Sequence, residues 1–134
     1  MKRWVFLLVG TLALASCNKQ PPDLTPEATI AFQATRVVKV LDVVRDAAIA
    51  ANELSPPALS TDTTRTVVLW HKTAVQVIQA TPGGWKPTVK ASIYALTCHP
   101  LAGSGPCTPQ LPPDAVTRLY PYIGLALVVI AEVP

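Results

Sequence analysis

The sequence predicts an all-α fold, a small three- or four-helix up-down bundle. Long stretches place apolar residues three and four positions apart, which is the spacing of one helical face. Breaks rich in proline and glycine separate these stretches. The chain has 134 residues, of which 50% are hydrophobic and 14% charged. This length is enough for one domain. The composition is too apolar for an intrinsically disordered chain.

The first residues have the pattern of an export signal. Lys2 and Arg3 precede an uncharged run over residues 4–15. A run of about 12 residues is too short to span a bilayer core of about 30 Å. It leads into the motif Leu14-Ala15-Ser16-Cys17. This motif resembles the lipobox of bacterial lipoproteins, and the resemblance implies cleavage before Cys17 and lipidation of that cysteine with three acyl chains.

The resemblance also implies a location. One acyl chain gives only reversible membrane binding, so three chains should hold the protein on a bilayer. In lipoproteins of bacteria with two membranes, an aspartate after the cysteine often means retention at the inner membrane. Asn18 stands there instead, so we expect an outer-membrane lipoprotein with its body in the periplasm. An ordinary secretory signal with an incidental cysteine, or a retained anchor helix, are the alternatives.

The chain therefore divides into three parts. Residues 1–16 are the predicted signal peptide, residues 17–25 the lipidated cysteine with a proline-containing stalk, and residues 26–134 a helical domain. Without the signal peptide, nine basic and eight acidic residues remain. No polybasic run is left to indicate nucleic-acid binding.

The first helix is predicted from Thr25 to about Leu54. The threonine hydroxyl can cap it, and Pro26 suits the first helical position. Residues at three–four spacing form its apolar stripe: Ile30, Ala34, Val37, Leu41, Val44, Ala48 and Ala51. Prolines at positions 56 and 57 end the helix, because a residue before proline disfavours helical backbone.

Two more helices follow. The second is predicted to begin at Ser60 or Asp62, within a run of capping residues, and to continue to Ala80. The sequence TPGG at residues 81–84 is a strong turn signal. The third helix is predicted over Lys86–Thr97, and the segment from Cys98 to Leu111 should be irregular.

The last element is predicted to be a helix that starts near Pro112-Pro113-Asp114, continues to Val133 and is kinked at Pro121. From Tyr122 to Ala131 every residue is apolar or glycine, so we expect this part to be buried nearly all round. A membrane span is disfavoured because Arg118 interrupts the apolar run. A β-strand in this segment is the alternative, although no other segment would pair with it.

Cys98 and Cys107 are predicted to form a disulfide, since the compartment beyond the inner membrane is oxidising. Metal binding by this pair with His99 is an alternative, but a tetrahedral site needs a fourth ligand. A redox-active pair is another, although such pairs usually have two intervening residues and this one has eight. We expect no metal and no cofactor.

No constellation indicates catalysis. His71 is the best candidate base, but a lone histidine on an apolar helix face is more often a packed, hydrogen-bonded residue. Asp42 and Asp46 stand one turn apart beside Arg45, which is typical of a solvated charge lattice. Lipase, zinc-protease, dinucleotide and phosphate-loop motifs are absent from the sequence.

The functional prediction is therefore a non-enzymatic envelope lipoprotein that scaffolds or binds another envelope component. The bilayer is a partner through acylated Cys17, and an unidentified protein is the second. Trp85 is the candidate partner-binding residue, because a tryptophan at a turn tip is hard to bury. Two alternatives stay open: a carrier or sensor of a small apolar ligand in the helical core, and a phage-encoded lipoprotein of the spanin or exclusion type.

Overall fold

The computed structural model describes residues 24–134. Over this range the chain forms four helices, which we name α1 (Pro26–Asn52), α2 (Thr61–Ala80), α3 (Lys86–Thr97) and α4 (Pro113–Ala131). No strand occurs among these residues. The predicted all-α bundle is thus confirmed, with four helices. The signal peptide, Cys17 and most of the stalk lie outside the described residues.

Capping residues set the starts of the first two helices. The Thr25 hydroxyl accepts a hydrogen bond from the Ala28 amide, with Pro26 at the first helical position. The Ser60 hydroxyl accepts one from the Thr63 amide in the same way. Both starts agree with the sequence prediction. α1 ends at Asn52, slightly before the predicted Leu54.

The helices alternate in direction, as an up-down bundle requires. α1 packs against α2 and α4, and α3 packs against the same two helices. Arg36 in the first half of α1 bonds Glu132 just beyond the end of α4, so these two helices are antiparallel. Lys86 at the start of α3 bonds Val133 after the end of α4, so α3 and α4 are also antiparallel.

A single hydrophobic core lies between the four helices. Each helix contributes side chains that are almost completely buried. The largest of these are Leu41, Ile78, Ile93, Leu96, Leu119, Ile123 and Ile130. Among residues 24–134, no buried side-chain nitrogen or oxygen lacks a hydrogen-bond partner.

The prediction for the last helix is partly wrong. α4 does form a helix, and it continues through Pro121. The proline cannot donate to the carbonyl of Thr117, but Thr117 is exposed, so water can satisfy that oxygen. The expected all-round burial is not found. Within residues 24–134, α4 packs mainly against α1 and α3, and Leu125 and Val128 are exposed.

α4 is the one helix among the described residues that is long and apolar enough to cross a membrane, by length and composition alone. Core helices of soluble proteins have the same properties. The inner face of α4, with Leu119, Ile123 and Ile130, is part of the protein core.

Candidate functional site

The main candidate site is an apolar groove at the end of the bundle where the stalk joins the body. Its volume is about 460 Å³, within the ~300–1,000 Å³ typical of sites for small molecules. We call it the tether groove. It is lined by Leu24, Pro26, Thr29, Ile30, Gln33, Gly83, Trp85, Lys86, Val133 and Pro134.

Three separate parts of the chain build the groove. The start of α1 supplies Ile30 and Gln33, the turn before α3 supplies Trp85, and the residues after α4 supply the opposite side. The Lys86 ammonium donates a 2.6 Å hydrogen bond to the Val133 carbonyl. This bond holds the segment after α4 against the start of α3, so Lys86 positions one wall of the groove.

Trp85 does not stand exposed at the turn tip, as the sequence suggested. Its side chain is only 2% exposed and belongs to the hydrophobic core. Gly83 adopts a positive φ of 79°, which glycine allows without strain, and the turn containing it leads into Trp85. The indole would have to leave the core before a protein partner could bury a large part of it. The indole therefore contributes only a small area to the tether groove, which it helps to line.

A second candidate surface lies on the outer face of α4. Tyr122, Leu125 and Val128 follow one another at three-residue spacing and are 39%, 51% and 52% exposed. We call these three residues the α4 stripe. Single exposed apolar residues are ordinary on protein surfaces, but neighbouring ones on one helix face are typical of contact surfaces.

His71 and Asp42 form a polar contact between α2 and α1. Nε2 of the buried His71 lies 2.6 Å from Asp42 Oδ1, and Arg45 lies 3.5 Å from the same oxygen. Arg45 also bonds Asp46 at 2.9 Å, and this hydrogen bond is the main reason its pKa is raised. The predicted charge lattice and the packed, hydrogen-bonded histidine are both found.

This contact has the base and the orienting acid of a catalytic triad, but it lacks a nucleophile. Within residues 24–134, no serine, threonine or cysteine hydrogen-bonds to His71. A nucleophile must lie within hydrogen-bond reach of its base. The observed contact links α2 to α1.

The disulfide loop contains the second histidine. Cys98 and Cys107 are bonded, with their Cα atoms 5.8 Å apart, so neither sulfur is available as a thiolate for a metal. His99 stacks on Tyr120 of α4 with ring centroids 4.4 Å apart, and its Nδ1 accepts a hydrogen bond from the Leu101 amide. Burial lowers the pKa of His99. These contacts attach the loop to α4.

The structure does not bring the predicted site residues together. Cys17 lies outside the described residues, Trp85 is at the tether groove, and the disulfide belongs to the loop between α3 and α4. Sequence reasoning missed the groove, because its walls come from positions more than a hundred residues apart. Comparison with protein-family models, with curated proteins and with solved structures finds no match to the chain.

Proposed function

We propose that the chain is a membrane-anchored envelope lipoprotein whose helical body binds another envelope component and catalyses no reaction. The resemblance of residues 14–17 to a lipobox supports the anchor. The short stalk reaches the body at Leu24, so the body would stay close to the bilayer. Its predicted place is the outer membrane, with the body facing the periplasm.

The α4 stripe is the observation that carries the proposed binding role. The opposite face of α4, with Leu119, Ile123 and Ile130, belongs to the core, so the bundle holds the helix in place. A rigid helix that displays Tyr122, Leu125 and Val128 offers a partner contact area at little cost in conformational entropy. Tyrosine is also among the residues enriched at the energetic centres of interfaces.

The polar groups of the body support a non-enzymatic role. His71 is bonded to Asp42, and His99 is held between Tyr120 and the Leu101 amide. Among the described residues, no group of three or more histidine, cysteine or acidic side chains is placed to share a metal ion. The two histidines, which are the best candidate bases, thus both have structural partners.

Crosslinking in cells tests the binding role. The lipoprotein is captured after crosslinking, and the proteins attached to it are identified, for the natural chain and for Leu125→Lys. Leu69→Lys is the matched control, because Leu69 is a similarly exposed leucine on α2. We expect Leu125→Lys to remove one specific crosslinked protein and Leu69→Lys to retain it. Equal capture by both variants would contradict a role for the α4 stripe.

A second candidate function is the binding of a small apolar ligand, and the tether groove favours it. The groove lies at the bundle end, whereas the sequence placed such a site in the helical core. Its size and its leucine, isoleucine and tryptophan lining suit an aliphatic molecule. Titration of the protein with palmitate tests this role, and absence of saturable binding would contradict it.

A further inference from the structure

The position of the tether groove relative to the stalk suggests what occupies it. Leu24 is the first residue described, and it lines the groove. Cys17 lies seven residues earlier in the sequence. A segment of this length spans at most about 25 Å when fully extended, and less when it folds back. Lipid on Cys17 would therefore always be within reach of the groove.

The chemistry of the groove suits a hydrocarbon chain. Leu24, Ile30 and Val133 provide apolar walls, and the volume of about 460 Å³ is that of a site for a small ligand. The Lys86 ammonium donates a hydrogen bond to the Val133 carbonyl, and this bond holds the charged group at the wall of the groove. An aliphatic chain needs apolar area more than hydrogen-bond partners, and this groove offers that area.

The competing environments decide when such binding matters. A bilayer solvates an acyl chain fully, so a groove that is open on one side gains nothing over it. Water solvates the same chain poorly, and every methylene removed from water is stabilising. A lipoprotein destined for an outer membrane must cross an aqueous compartment, where an acyl chain in the groove would be shielded from water.

We propose that the tether groove holds one acyl chain of the lipid on Cys17 while the protein is away from a bilayer. The inference rests on the proposed lipidation of Cys17. The occupant is the chain's own lipid, since its attachment point lies within reach and its effective concentration at the groove is that of a short tether. On reaching a membrane, the acyl chain leaves the groove for the bilayer.

Photocrosslinking of the natural lipoprotein tests this directly. Ile30→p-benzoylphenylalanine places a photoreactive ring at the groove, and Val43→p-benzoylphenylalanine is the control. Val43 is a similarly exposed residue of α1 that does not line the groove, about 20 Å further along the helix at 1.5 Å per residue. The purified protein is diluted out of detergent and irradiated with and without phospholipid vesicles, and the peptides are identified by mass spectrometry.

We expect an intramolecular crosslink between residue 30 and the acylated Cys17 peptide without vesicles, and at least a fivefold smaller yield with them. Position 43 should give no such product. No crosslink at position 30 from a protein that carries acyl mass on Cys17 would overturn the inference. Equal yields with and without vesicles would also overturn it. Absence of acyl mass would instead defeat the proposed lipidation.

A second experiment examines the groove without the lipid. The mature chain carrying Cys17→Ser is titrated with palmitate, alone and with Ile30→Glu or Val43→Glu added. We expect saturable binding that Ile30→Glu weakens at least tenfold, because a carboxylate in the groove must lose its hydration. Val43→Glu should bind as well as the Cys17→Ser chain. Failure of that chain to bind palmitate, or equal effects of both glutamates, would overturn the inference even if Cys17 proves to be lipidated.

Discussion

His71 Nε2 lies 2.6 Å from Asp42 Oδ1, and this contact joins the middle of α2 to the middle of α1. The histidine is buried, whereas the aspartate is partly open to solvent. Arg45 approaches the same carboxylate at 3.5 Å. Arg45, Asp42 and His71 therefore form a polar network that extends from the bundle surface to the buried histidine.

Loss of this contact should destabilise the fold. Asp42→Ala removes the hydrogen-bond partner of a buried histidine, and we expect a loss of about 1–2 kcal/mol in the free energy of unfolding. Asp46→Ala is the matched control, because Asp46 is more exposed and has only Arg45 as an ion-pair partner. It should change stability by less than about 0.5 kcal/mol. Urea unfolding measures both, and equal effects would contradict a structural role for the contact.

The disulfide should contribute to stability through the loop that it closes. Chain entropy predicts about 2–3 kcal/mol for a loop of roughly ten residues. We expect the double variant Cys98→Ser, Cys107→Ser to lose that amount of unfolding free energy. Its stability should not change when reductant is added. The natural protein should lose the same stability when reduced. A natural protein whose unfolding curve does not move with reductant would show that the bond contributes nothing.

The burial of His99 predicts a pH dependence. Burial lowers its pKa from the ordinary value of 6.5, so between its folded pKa and about 6.5 the unfolded chain binds more protons than the folded chain. Stability should therefore fall as the pH decreases from about 7 through this window. His99→Phe keeps a ring against Tyr120 and removes the titration, so its unfolding free energy should depend less on pH. An unchanged pH dependence in this variant would contradict the assignment.

Trp85 should act mainly through the core. Trp85→Ala removes a large side chain that is buried at the start of α3, and we expect a loss of about 3–5 kcal/mol. Leu54→Ala, at an exposed position after α1, should be nearly neutral. Thermal unfolding followed by circular dichroism measures both. A Trp85→Ala protein of normal stability that loses its crosslinked partner would restore the partner-anchor interpretation.

Helix boundaries could be predicted from the sequence because short-range chemistry sets them. Thr25 and Ser60 accept the hydrogen bonds expected of capping residues. The TPGG turn separates α2 from α3, and α3 spans the predicted Lys86–Thr97. Each of these signals depends on residues within a few positions of one another, so no knowledge of tertiary packing was needed.

The burial of α4 could not be predicted in the same way. From Tyr122 to Ala131 its residues are apolar or glycine on every side, so hydropathy does not mark Leu125 as exposed. Its exposure depends on how α4 packs against α1 and α3. Trp85 is the converse case. The turn before it suggested exposure, but its side chain is buried in the core that all four helices share. Both outcomes depend on contacts between distant parts of the chain.

The most direct measurement for the whole account is the mass of the mature N-terminal peptide from the membrane fraction of cells that express the natural gene. The account predicts a peptide that begins at Cys17 and carries a diacylglyceryl group and an amide-linked acyl chain. A peptide that begins elsewhere, or an unmodified Cys17, would contradict the membrane anchor and the functions proposed from it.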